Sequence, residues 1–449
     1  MKKFIAIMLA VLMMLSVFTA CNQESEETTA DTTAATQVNA ETSAEESSEA
    51  SSLAGQTVSF VIWGNDERKA AFEELFAPFT AETGINVEIT LVPLEEIVTK
   101  TSAQIAAGQS YDVVWMSEAM LPQFIATNNL EDISALMEDA QYNFEDISQS
   151  LAANYIVDGK LYALPWTSSP RVWFYNKDLI AQAGLEDPAV LAANGEWTYD
   201  KLYEYSEAIS ALSDSTYGFT VWNYQSPNDW NILLDWTWAH GASFFDEGMT
   251  ECTINTAEGI AALDAYMECI EKGLTTTPDS SIDFASGQLG FTRNVASLKG
   301  TLTDVDFEWD ILPNPAGTDE DAPVAVGVAA YVVPKGAPHK EAAIEVIKYI
   351  TSAELMADDF LMSSFSPTRI SVLSSEKYLD QGCPSAEAIK LALIAPMEGN
   401  TRLYPTCDYY DEADLKVKEI LSAWYAGQYT DTAEMVADME AQLNPILSQ

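Results

Sequence analysis

The chain has 449 residues, 69 acidic side chains against 21 basic ones, and a formal charge of −48. A surface this negative repels polyphosphate backbones and anionic membranes, so nucleic acid is excluded as a partner and membrane attachment cannot come from basic residues. With 48% of its residues hydrophobic, the chain is long and apolar enough for two cores.

Residues 1–21, MKKFIAIMLAVLMMLSVFTAC, place two lysines ahead of an apolar run from Phe4 to Phe18, followed by Thr19 and Ala20. A membrane span needs ~20 apolar residues, so residues 1–20 read as a secretory signal. Val17-Phe18-Thr19-Ala20-Cys21 resembles a bacterial lipobox, with Phe18 in place of the usual leucine. That resemblance implies acylation of Cys21 and a chain anchored on the outer face of the cell membrane; ordinary signal cleavage is the alternative. Each buried methylene adds about 0.8 kcal/mol, so two or three acyl chains hold what one holds only marginally. Beyond Cys21, residues 22–54 have no Lys or Arg and eight acids, the composition of a disordered linker. The signal carries +2 and the linker −8, which leaves −42 on the folded part from Gly55 onward.

Thr57 to Trp63 reads as a buried strand, and Phe72, Leu75, Phe76 and Phe79 then recur with helical spacing up to Gly84. Pro78 within that pattern predicts a kink or an early last turn. Ile85, Val87, Ile89 and Leu91 alternate as a strand does; a helix from Glu95 to Ala107 stops at Gly108, and Asp112–Met116 is a short apolar strand. This strand–helix alternation implies right-handed crossovers and a mostly parallel sheet covered on both faces.

Arg171–Tyr175 reads as another strand, with a helix from Asn176 to Gly184. Thr198 is a predicted N-cap for the helix carrying Leu202, Ile209 and Leu212, and Asp200 suits its positive end. Phe307–Pro313 and Val328–Val333 are further strands, and the remainder is largely helical. Cys252 and Cys269 flank an apparent helix long enough to hold them roughly 20 Å apart, beyond disulfide reach; Cys383 with Cys407 stays open.

Five stretches together carry a family resemblance: Phe79–Val87 (FTAETGINV); Ala107-Gly108 with Tyr111–Val114 (in AAGQSYDVV, from Ala106); Ala163–Pro165 through Tyr175–Leu179, with Gly184 and Trp197-Thr198; Trp238–Phe245 (WAHGASFF); and Asp310–Pro313 with Val332–Lys335. In this order and spacing the chain resembles the extracellular solute-binding proteins of ABC importers, specifically their maltose-binding-protein-like carbohydrate family. The resemblance implies an α/β, two-lobe periplasmic-binding-protein-like fold of type II, each lobe a mixed, mostly parallel sheet flanked by helices and joined by hinge crossings. It places an N-terminal lobe at 55–166 and 314–364 and a C-terminal lobe at 167–313 and 365–449. Crossings are expected near Thr167–Arg171, Ile311–Asn314 and Ser364–Pro367, with the helix of Leu415, Ile420, Leu421 and Trp424 packing on the second lobe. Further implications are a monomer that closes over a sugar by hinge bending, with permease subunits as partners and no cofactor or metal.

A pyranose presents apolar C–H faces that stack on aromatic rings and a hydroxyl rim that needs planar donors and acceptors. Ligands of open α/β sheets lie beyond the carboxyl ends of strands. That directs attention to Trp63 with Asp66 or Glu67 after the first strand, and to Glu118 after the strand at Asp112. On the first crossing, Trp166, Ser169 and Arg171 are candidates, Arg171 either for sugar hydroxyls or for a structural ion pair. Trp222, Tyr224 and Trp230, with Asn228, form an aromatic group in a turn-prone stretch that suits a binding platform, whereas Trp236 and Trp238 read as packing residues. Arg293, Arg369, Arg402 with Tyr404, and Tyr409 or Tyr410 complete the set.

Catalytic motifs find little support: His240 and His339 have no metal-ligand spacing, and no GxSxG, GxxxxGK[ST] or strand-following GxGxxG occurs. The leading reading is a receptor that hands a sugar, of oligosaccharide size, unaltered to a permease. An extracellular glycosidase is the reading from another class, to be separated by turnover of a glycan panel. Tyr409-Tyr410 resembles the tyrosine pairs of ferric-ion receptors, which a visible iron–tyrosinate band would reveal.

Overall fold

The computed structural model describes residues 53–221, 230–277, 280–319, 321–407 and 409–448. Strand β1 (Thr57–Ile62) pairs in parallel with β2 (Asn86–Leu91) on one side and β3 (Val113–Ser117) on the other. Helix α1 (Asp66–Thr83) connects β1 to β2 and buries Phe72, Phe76 and Phe79 against the sheet. Its start is capped by Asn65, which accepts the Arg68 N–H, and its end by Gly84 in the left-handed region at φ 73°. The helix runs through Pro78 to Thr83, so the early last turn is not seen; Pro78 lies on the exposed side of the helix. Helix α2 (Ile97–Ala106) links β2 to β3.

A hairpin of β4 (Ile156–Val157) and β5 (Lys160–Leu161) leads into β6 (Leu164–Asn176), a strand shared by two sheets. Further along lie β7 (Tyr217–Thr220), β8 (Leu289–Val295), β9 (Trp309–Leu312) and β10 (Val324–Val332). The first part of β6, Leu164–Pro170, pairs antiparallel with β10, which pairs antiparallel with β3, giving the order β2-β1-β3-β10-β6. From Arg171 to Asn176 the same strand pairs antiparallel with β8 and β9, and β7 joins β8 in parallel. Both sheets are thus mixed. Short strands β11 (Ser366–Pro367) and β12 (Thr401–Leu403) attach to β6 and to the start of β10.

Two hydrophobic cores follow from this arrangement. The first gathers Phe60, Phe72, Val114, Trp166, Tyr331 and Ile347 around β1, β3 and β10. The second gathers Trp173, Tyr199, Phe219, Trp236, Phe291 and Leu421 around β7 and β8, with helices α3 (Tyr199–Ser210), α4 (Leu234–Ala239) and α5 (Ala257–Glu271). Thr198 caps α3 by accepting the Lys201 N–H at 3.3 Å.

The segment after β9 stays on the second core: Ala316 donates its N–H to Trp197 O (2.9 Å) and Asp319 to Ala239 O (3.0 Å). Strand β10 then joins β3 and the first part of β6, and Ser366–Pro367 pairs with β6 at Thr167–Ser168. Beyond it, Ser385 donates its N–H to Asp310 Oδ1 at 2.9 Å, and β12 lies beside the start of β10. Helices α6 (Tyr410–Tyr425) and α7 (Thr432–Leu447) then pack on the second core through Val417, Leu421, Met435 and Leu443. Leu415 lies off that stripe and is 69% exposed, so it does not pack as expected. Cys252 and Cys269 are buried, Cys383 is exposed and Cys407 half-buried, with no disulfide among the described residues.

Candidate functional site

Between the two cores lies a cavity of about 430 Å³. Leu121 and Tyr155 come from the first core, Trp238 and Phe245 from the second, and Arg402, Tyr404 and Pro405 from the segment that crosses between them. An adjoining cavity of about 300 Å³ is lined by Trp63, Arg68, Trp115, Trp166, Ser117, Thr167, Ser169, Ser297 and Phe365. Glu118 lines both. Gly327 of β10 lies beneath it: a Cβ there would stand 3.5 Å from Glu118 Oε1 and 3.5 Å from Tyr404 Cε2.

The strand ends explain the placement. Trp63 follows the carboxyl end of β1, and Ser117-Glu118 ends β3, so both open toward the crevice where parallel strands present their loops. Trp166 and Ser169 sit in the first part of β6, beside β10. Trp63 meets Trp115 edge to face at 5.9 Å, and Trp166 packs on Phe365 at 5.0 Å. The indole N–H groups of Trp63, Trp115 and Trp166, like Nε of Arg68, are buried without a hydrogen-bond partner among the described residues.

Charge in the site is set by burial. The Glu118 carboxylate accepts the Val328 N–H at 3.0 Å. Although the residue as a whole is half-buried, desolvation of the carboxyl raises its pKa, against the lowering effect of that backbone bond and of Arg171. Arg171 donates from Nε to the Tyr404 hydroxyl at 2.5 Å, and burial raises the Tyr404 pKa against the pull of Arg171. Arg68 has its guanidinium carbon 4.5 Å from the Trp63 ring centre and 5.1 Å from that of Phe365. Desolvation lowers its pKa. Arg402 lies over the Trp238 ring at 5.1 Å.

Of the residues singled out from sequence, Trp63, Glu118, Trp166, Ser169, Arg402 and Tyr404 line the cavities, and Arg171 sits beside them through Tyr404 and Glu118. Trp222 and Tyr224 fall outside the described residues, as does Cys21. Others are placed elsewhere by packing or pairing. Asp66 and Glu67 are exposed acids in the first turn of α1, where the helix dipole favours them. Trp230 is fully buried between Phe244 and Phe245 and donates its indole N–H to Asp414 at 2.9 Å, so it is a core residue rather than a platform. Arg293 is buried and forks onto Asp235, with Nη1 donating to Ile232 O at 2.9 Å. Arg369 is likewise enclosed, donating to Thr351 O, Tyr142 O and Asp146. Tyr410 begins α6 and receives a bond from Asn231 Nδ2 at 3.3 Å; it lines neither cavity.

Sequence reasoning missed Arg68, Trp115 and Tyr155, and read Trp238 as packing alone. Trp115 lies in a continuous apolar run and Arg68 in an amphipathic helix start, so neither stands out by pattern. A signal was available for Arg68: the chain has only five arginines, and each of so few cations among so many acids calls for an account.

Residues 74–382 match the model of the family described as bacterial extracellular solute-binding protein. The diacetylchitobiose binding protein DasA of Streptomyces coelicolor is 22% identical over 413 residues, covering 88% of this chain and 91% of its own length. The cyclic alpha-maltosyl-1,6-maltose binding protein of Arthrobacter globiformis superposes with a TM-score of 0.72 at 20% identity, over 87% of this chain and 99% of that one. The sugar-binding protein MalE of Xanthomonas citri gives 0.73 at 18% identity, over 88% and 98%. At these identities the superpositions speak for the two-lobe type II fold, and the family match spans well over half of the chain. Mixed sheets around two cores, a crevice at their strand ends and this match lead to one assignment: the chain belongs to the bacterial extracellular solute-binding proteins.

Proposed function

We propose that this chain is a lipid-anchored receptor of an ABC importer that captures a carbohydrate between its two lobes, closes on it by bending at the strand crossings, and passes it unaltered to the permease. The observation that carries this reading is the composition of the interlobe cleft. Half-buried Trp63 supplies an aromatic face, and the buried Trp115, Trp166 and Trp238 back the walls, while Glu118, Arg402 and the hydroxyls of Ser117 and Ser169 supply a polar rim. Two neighbouring cavities of about 430 and 300 Å³ that share Glu118 suit more than one sugar ring, and the relatives named for diacetylchitobiose and for cyclic maltosyl-maltose support an oligosaccharide. Cys21 is the proposed anchor, residues 22–54 the spacer, and a monomer the working state.

A thermal-shift screen of mono- and oligosaccharides tests this, because a ligand of the folded state adds RT ln(1 + [L]/Kd), about 2.7 kcal/mol at a hundredfold excess over Kd. Micromolar capture corresponds to about −8 kcal/mol. The hit is expected to bind one per chain, to be recovered chemically unchanged, and to reduce the radius of gyration in solution scattering. Turnover of the sugar would replace the receptor by a glycosidase; binding without contraction would refute hinge closure.

A further inference from the structure

The cations of this chain are distributed unevenly between pairing and the cleft. Thirteen lysines from Lys69 to Lys418 each stand within 4.0 Å of a carboxylate. Arg293 and Arg369 are committed to Asp235 and Asp146 in the cores. Arg68 is different. Among the described residues no carboxylate pairs with its guanidinium, and the groups around that charge are the rings of Trp63, Phe72 and Phe365. Carboxylates outnumber cations more than threefold here, so an arginine kept clear of them is an exception to the local electrostatics.

The smaller cavity around Arg68 is correspondingly rich in donors. Indole N–H and guanidinium groups only donate, and the indole N–H groups of Trp63, Trp115 and Trp166 are buried in the wall without an acceptor among the described residues. Hydroxyls of Ser117, Thr167, Ser169 and Ser297 add groups able to donate. The one carboxyl on the wall is Glu118, whose burial favours its uncharged form. Among the described residues the larger cavity adds Asp246 and Glu247, so it is the more acidic of the two.

The geometry points to a saccharide bearing an anionic group on the ring held in the Trp63–Trp115–Trp166 cavity, with Arg68 as its counter-charge. This rests on the sugar-receptor reading above and narrows it. A planar fork of donors matches a carboxylate side-on and also fits sulfate or phosphate, and aromatic walls select these as ring substituents rather than as free ions.

The test compares matched ligands on the full chain by calorimetry: neutral disaccharides, the same disaccharides with C6 oxidised to a carboxylate, their 6-sulfate and 6-phosphate esters, and free inorganic phosphate. An anionic member is expected to bind at least about tenfold more tightly than its neutral parent, as a charge-assisted bond replaces a neutral one. That ratio is expected to collapse toward one in Arg68→Gln, to return in part in Arg68→Lys, and to shrink as salt is raised. The carboxylate, sulfate and phosphate arms identify the group, and inorganic phosphate binding as well as its sugar ester overturns the saccharide requirement. Neutral disaccharides binding as tightly as every anionic partner overturns the inference while leaving the receptor reading standing. No saccharide binding at all overturns both. The wild-type comparison needs no variant, so a poorly folding Arg68→Gln does not blunt it.

Discussion

Arg293→Ala separates a structural cation from a ligand-binding one. Both Arg293 and Asp235 side chains are 1% exposed. Nε and Nη2 of the arginine donate to Asp235 Oδ2, and Nη1 donates to Ile232 O. Asp235 Oδ1 in turn accepts the Ala325 N–H at 2.6 Å, which ties α4, β8 and β10 together at one carboxylate. Removing the cation leaves Asp235 buried and charged with a single backbone donor, at a cost of about 3–5 kcal/mol. At an m-value of about 3 kcal/mol/M, that moves the urea midpoint down by about 1–2 M, read by tryptophan fluorescence and circular dichroism. The double variant Arg293→Met/Asp235→Leu is expected to recover most of the loss, because a well-packed apolar pair replaces an ion pair at little cost. Recovery stays incomplete by about 1–3 kcal/mol, since the Ala325 N–H loses its acceptor. A midpoint within about 0.3 M of wild type, with sugar affinity abolished, would sink this account and restore Arg293 to the binding site.

The same approach reaches the cleft. The Glu118 carboxyl lies above the ordinary value of 4.5 in the folded chain because burial penalises its charge. Its uncharged form therefore contributes stability fully below that ordinary value, and the contribution is lost as pH rises through the raised folded value. Thermal melts of Glu118→Gln against wild type from pH 4 to 7 should show the variant gaining steadily on wild type as pH rises; a constant difference would contradict the burial argument. Gly327→Ala adds a methyl at ordinary contact distance, 3.5 Å from Glu118 and Tyr404, so the fold should tolerate it. On the cleft floor, however, the extra volume is expected to weaken sugar binding at least about fivefold, from the 1–3 kcal/mol of overfilling a packed site. Unchanged calorimetric affinity would show that the ligand sits elsewhere.

Elements with a strong local pattern were legible in the sequence. The buried run of β1, the i, i+3, i+4 phenylalanines of α1, the Gly84 stop and the Thr198 cap all depend on neighbours in the chain, and the structure shows each of them. The placement of β10 and of the segment around Arg369 was not, because both are held by contacts hundreds of residues away in sequence. The site divided in the same way. Trp63 and Glu118 could be placed because strand ends point to the crevice. For arginine, type and scarcity alone did not distinguish a buried fork such as Arg293 from a cleft charge such as Arg68; the difference lies in whether Asp235 or an aromatic ring folds against it. Trp230 failed for a related reason: a polar, turn-prone neighbourhood says nothing about Phe244 and Phe245 closing around the ring.

Strand β6 belongs to both sheets, and its change of partners has a mechanical corollary. Up to Pro170 its ladder is made with β10, and from Arg171 with β8 and then β9. At the changeover stands Pro170, in register with Val326 and without an N–H of its own to give the ladder. The closure proposed above can then run as torsion spread along one continuous ribbon, with neither jaw having to loosen its interior.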